Sequence, residues 1–124
     1  MNLAAHSSEA PRQKPVLTDA EMLLETFALQ ACLIVDEKSR IISAASLEPT
    51  PLLQNLADVA PTMALLPECR SLHLNYLRRS EPTLQDHQVS SSRFEIAGRR
   101  FFICAFGDDA TRRQKDILQT LLYR

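Results

Sequence analysis

Glycine is almost missing from this chain: Gly98 and Gly107 are the two in 124 residues. A loop that cradles phosphate needs glycines close together so that backbone N–H groups can converge on the anion, so nucleotide-binding loops of that kind are excluded. An excess of one charge is missing too, since 14 Lys and Arg stand against 15 Asp and Glu and leave a net charge of -1. Neither nucleic acid nor an anionic membrane is therefore expected as a main partner. Cysteine is sparse, odd in number and scattered: Cys32, Cys69 and Cys104 form no CxxC pair. That pattern fits reduced thiols better than a disulfide framework or a zinc site, and no metal site is expected. No apolar run reaches the length a bilayer requires, and MNLAAHSSEAPRQKP has neither the basic start nor the apolar stretch of a signal peptide. The expected location is the cytoplasm. Catalytic patterns are missing as well, with no Ser/His/Asp spacing and no HExxH, while the adjacent Asp108 and Asp109 read as helix caps. No catalytic residue is assigned, and the chain by itself is not expected to be an enzyme.

What is present is the composition of one ordinary domain, with 45% hydrophobic and 23% charged residues. Residues 1–17 mix Ser, Pro, Gln, Lys and Glu and read as a flexible lead-in. At Thr18-Asp19 capping chemistry begins, and Met22, Leu23, Leu24, Phe27 and Ala28 follow at helical spacing, which predicts an amphipathic helix over 19–29. The run 31–35 is short and β-rich, Asp36-Glu37-Lys38-Ser39 supplies turn chemistry, and 40–44 resumes in strand-like composition, so a hairpin is expected. Pro61 and Pro67 break the segment after Pro51 into several short helices in this reading. From Pro67 a longer helix is expected, with Leu66, Cys69, Leu72, His73, Tyr76 and Leu77 forming its inward stripe.

The stretch RFEIAGRRFFICAFGDDATRR, residues 93–113, organises the rest. It reads as strand, turn at Ala97-Gly98, doubly covered strand from Phe101 to Phe106, and then the start of a helix. Ile117, Leu118, Leu121 and Leu122 give that helix an apolar stripe, and the sequence stops at Tyr123-Arg124 in mid-pattern, as if the helix continued.

The order of helix, hairpin, short helices, longer helix, closing strands and exit helix resembles a PAS domain. The resemblance rests on CLIVDEKSRIISA, similar to the first two strands with their turn after an Asp, and on FEIAGRRFFICAFGDDATRRQKD, similar to the final strands. Asp109-Ala110-Thr111 is similar to the closing Asp-x-Thr from which a signal-transmitting helix starts. The resemblance covers 19–124 and implies an α+β fold, an antiparallel sheet covered on one face by short helices with amphipathic helices at both ends. It divides the chain into a lead-in (1–17), a sensory domain (18–108) and a signalling helix (109–124). Within the family the pattern is most similar to the amino-terminal sensory domain of bacterial sensor histidine kinases, a two-component system in which the helix feeds a downstream kinase module. It implies a signal-transfer joint at Asp109 and Thr111.

Two further expectations follow. Met22, Leu23, Phe27, Ile117, Leu118, Leu121 and Leu122 exceed what one small domain covers easily, which points to a homodimer packed through its end helices. Leu56, Leu66, Cys69, His73, Phe94 and Ile103 are the candidate lining of an internal ligand pocket. No cofactor is assigned; haem through His73, flavin through Cys69, and redox sensing or thiol chemistry at Cys69 are the alternatives, each weaker than a purely structural role.

Overall fold

The computed structural model describes residues 14–48 and 52–124. The expected lead-in therefore falls, up to residue 13, outside the described residues, as do Pro49 and Pro51. Four strands form one antiparallel sheet: β1 (Ala31–Asp36), β2 (Ile41–Ser46), β3 (Val89–Ile96) and β4 (Arg99–Phe106), in the order β2-β1-β4-β3. The two apolar runs become the two central strands. Ala31 lies opposite Phe106, Leu33 opposite Cys104 and Val35 opposite Phe102, all on one face. Cys32 opposite Ala105 and Ile34 opposite Ile103 share the other. Alternation along a strand that is apolar at every step thus creates two cores.

Helices fill both. Against the first face lie α2 (Leu52–Leu65) and α3 (Arg70–Leu77), joined by a 3-10 turn at Pro67–Cys69. Against the second lie α1 (Asp19–Thr26) and α4 (Gln114–Leu122), which bury Leu23, Phe27, Ile117 and Leu121 on Cys32, Ile34, Phe101 and Ile103. The short helices cover one face as expected, and the end helices cover the other, because each face of the central strands carries apolar side chains and needs a helical layer.

Two expectations change. Helix α2 runs without a break through Pro61, which is buried in its interior. A proline there costs about 3 kcal/mol, but Leu52, Leu56, Ala57, Val59, Ala60 and Met63 are buried along the same helix and offset it. The stripe predicted for α3 is displaced as well. Leu74 and Leu77 are its buried residues, while Leu72 is 67% exposed. The intervening 3-10 turn winds more tightly than an α-helix and rotates the face that α3 presents. The hairpin at residues 97–98 forms as expected, with Ala97 (φ 56) and Gly98 (φ 77) both left-handed.

Candidate functional site

The approach to α4 is a dense polar cluster. Three segments converge there: the first residue of α3, the 3-10 turn Asp86–Gln88 that leads into β3, and residues 107–111 after β4. The Arg70 guanidinium donates from Nε to the Asp86 carboxylate at 2.6 Å, and from Nη2 to the backbone carbonyls of Asp86 at 2.7 Å and Val89 at 2.8 Å. The Thr111 hydroxyl donates to the Val89 carbonyl at 2.8 Å and lies 3.4 Å from Arg70 Nη2. The Thr111 backbone N–H donates to the His87 carbonyl, and that of Gly107 to Gln88. At the start of α4 the Gln114 amide donates to the Ser91 carbonyl and the Ser92 hydroxyl. Asp86 is 65% exposed, so its ion pair with Arg70 contributes little by itself. The weight lies in one guanidinium satisfying carbonyls that no strand reaches.

Of the two residues expected at the joint, Thr111 sits in this hub and Asp109 beside it. Asp109 (φ 57) is left-handed and its carboxylate pairs with Arg112 of the same turn at 3.2 Å. Neither caps α4, whose N-cap is Arg113 with no side-chain cap bond. Sequence reasoning missed Arg70 and Asp86 as members. A signal existed: a cation at the first position of a helix opposes the helix dipole and needs a specific acceptor.

The candidate pocket residues are not brought together. Leu56 lies in the core beneath α2, whereas Phe94 and Ile103 belong to the core on the opposite face of the sheet. Leu66 is 42% exposed, and Cys69 and His73 are half-buried beside it at the head of α3. Burial, aided by the nearby Arg70 charge, lowers the basicity of His73, and its Nδ1 is a buried atom without a hydrogen-bond partner among the described residues. Cys32 and Cys104 are core residues. Burial, with the Cys104 thiol next in effect, raises Cys32 well above the ordinary thiol range, and burial pushes Cys104 up to about 12 against the opposing pull of Arg70. Both stay protonated and unreactive.

Two concavities lie elsewhere. One, of about 190 Å³, is lined by Gln30, Ala31, Leu47, Glu48, Leu52, Glu81 and Phe106. The other is an open groove of about 360 Å³ between β3 and α4, lined by Ser92, Thr111, Arg112, Gln114, Lys115 and Leu118. None of the six candidate pocket residues lines either.

The far end of α4 is also anchored. Arg124 forms a bidentate pair with Asp19 of α1, Nε to Oδ1 at 2.9 Å and Nη2 to Oδ2 at 3.0 Å, with the two side chains 14% and 6% exposed. Arg124 also donates to the Lys14 and Leu121 carbonyls, and Asp19 accepts from the Val16 N–H. Asp19 is therefore an anchor for Arg124, and Thr18, the N-cap of α1, makes no side-chain cap bond. Among the residues expected at a dimer interface, Leu23, Phe27, Ile117 and Leu121 are buried against the chain's own sheet, and Met22, Leu118 and Leu122 are partly buried at the margin of that core.

No helix of the described residues is long and apolar enough to cross a membrane, and no group of three or more His, Cys, Asp or Glu among them could hold a metal ion. No protein-family model and no curated protein matches this chain.

Proposed function

We propose that this chain is a PAS-like sensory and dimerisation module of a cytoplasmic bacterial signalling protein, without catalysis of its own, whose output passes through α4. In the full protein the output module would be a histidine kinase. The supporting features are the order of elements, the antiparallel sheet with its helical layer, and the placement of a terminal helix directly after the closing strand. The observation that carries the reading is the hub. Arg70 of the helical layer and Thr111 of the approach to α4 share the Val89 carbonyl, so a shift of α3 is felt at the base of α4 without crossing the sheet.

Because α4 lies back on the sheet, the signal in this reading is a change in how firmly α4 docks. Two arrangements, docked and released, would be populated according to what stabilises the hub. The test is amide hydrogen exchange on Arg70→Ala and Thr111→Val. Both should speed exchange across 117–122 at least about tenfold, the equivalent of about 1.4 kcal/mol, and leave β1 and β4 unchanged. Unaltered protection of α4 in both variants would remove the coupling and with it the proposal.

A further inference from the structure

We propose that the outer edge of β3 is the dimerisation surface of this chain, through antiparallel pairing with β3 of a second copy about a two-fold axis at Phe94. This rests on the dimerisation part of the reading above and not on its sensory part.

The strand order leaves β3 at an edge of the sheet. The Gly107 N–H donates to the Gln88 carbonyl, so Gln88 faces β4, and alternation then turns Val89, Ser91, Arg93 and Glu95 outward. Side-chain contacts confirm the phase: the outward carbonyl of Val89 is taken by Arg70 and Thr111, and that of Ser91 by Gln114. Beyond Ser91 the protection stops. Among the described residues nothing bonds the outward backbone groups of Arg93 and Glu95. An edge strand left open in this way is a template for another strand unless charge or a bulge blocks it.

Here the charges select the partner. Arg93 and Glu95 are both about half exposed and lie on the same face of the strand, only 3.6 Å apart. In an antiparallel pair centred on Phe94, Arg93 of one copy stands opposite Glu95 of the other, and the same contact recurs across the axis. Each such pair exchanges two backbone hydrogen bonds and sets opposite charges side by side. Sliding the register so that Arg93 meets itself puts guanidinium against guanidinium, and sliding it the other way puts Glu95 against itself. The patch is thus self-complementary in one register, as a two-fold interface requires. The two four-stranded sheets would join into one. Buried apolar side chains on the far face, Phe94 and Ile96, keep their present packing, so dimerisation asks for no rearrangement of the core.

The experiment is sedimentation velocity on the whole chain, with circular dichroism to verify folding. The wild type should dimerise, and Arg93→Glu or Glu95→Arg should each weaken association at least about tenfold by setting like charges across the pair. Mixing the two variants should restore dimer as a heterodimer, because one copy then carries two acids and the other two arginines. The double variant R93E/E95R should dimerise as the wild type does. A wild-type dimer indifferent to both single changes would overturn the edge-strand surface and leave dimerisation to the helices. Single variants that dissociate without recovery on mixing would overturn the register. A wild type that stays monomeric at high concentration would overturn both this inference and the dimerisation reading.

Discussion

Asp36 shows how much one turn residue can carry. It ends β1 at 5% exposure, and its carboxylate accepts from the N–H groups of Lys38 at 2.9 Å and Arg40 at 3.0 Å and from the Arg40 side chain at 2.8 Å. Burial works to raise its pKa, but the Arg40 and Lys38 bonds and the Arg40 charge together outweigh it and hold the carboxyl below its ordinary value. In the folded chain the group therefore binds a proton less readily than in the unfolded chain. The stability it contributes is complete above the unfolded pKa of about 3.9 and is lost as pH falls toward the lower folded value. Asp36→Asn should cost about 2 kcal/mol at pH 7, the scale of hydrogen bonds to a charged group. Urea midpoints for wild type and variant should converge as pH drops below about 4; an equal gap at pH 7 and pH 3 would refute the assignment. The sequence marked Asp36 as the start of a turn. The structure pairs it with Arg40, four residues on, because the left-handed Ser39 (φ 62) folds the turn back on itself.

At the scale of elements, the strands were legible and the helix faces only partly so. Apolar runs with β-branched residues and a turn glycine locate β1, β4 and the last hairpin, since each signal is local. Whether a helix face is inward depends on its phase against a distant sheet. The 3-10 turn shifted α3, and tertiary burial overrode Pro61 in α2. The candidate pocket failed for a related reason: spacing along a strand gives which residues share a face, but not which face the cradle covers. For α4 the stripe was legible, and its residues divide between core and margin. Leu121 is fully buried against the chain's own core, whereas Leu118 only borders it and lines the open groove. Leu121→Ala should therefore cost about 3 kcal/mol in thermal or urea unfolding, while Leu118→Ala should cost under about 1 kcal/mol. Equal losses would mean that α4 does not dock on the sheet in the way its burial pattern indicates.

For the whole molecule, the question is what holds α4 down. Its start is tied by Gln114 and Thr111 to β3, and its end by Arg124 to Asp19, so the helix spans from the hub to the first turn of α1. The middle contributes Ile117 and Leu121. Burying two such side chains is worth about 3–6 kcal/mol. The Asp19–Arg124 pair then decides whether docking is firm. Both side chains are largely removed from water, so deleting one strands the other. Asp19→Ala and Arg124→Ala should each cost about 3 kcal/mol, and the double variant should cost about as much as either alone, because the second deletion removes the stranded charge. Urea unfolding of the four proteins gives the cycle. Amide exchange locates the loss: faster exchange confined to 114–122 means that α4 detaches while the sheet stays folded. Additive costs, or loss spread evenly through β1 and β4, would show instead that the pair stabilises the fold as one unit and that α4 has no separate docking equilibrium for a signal to shift.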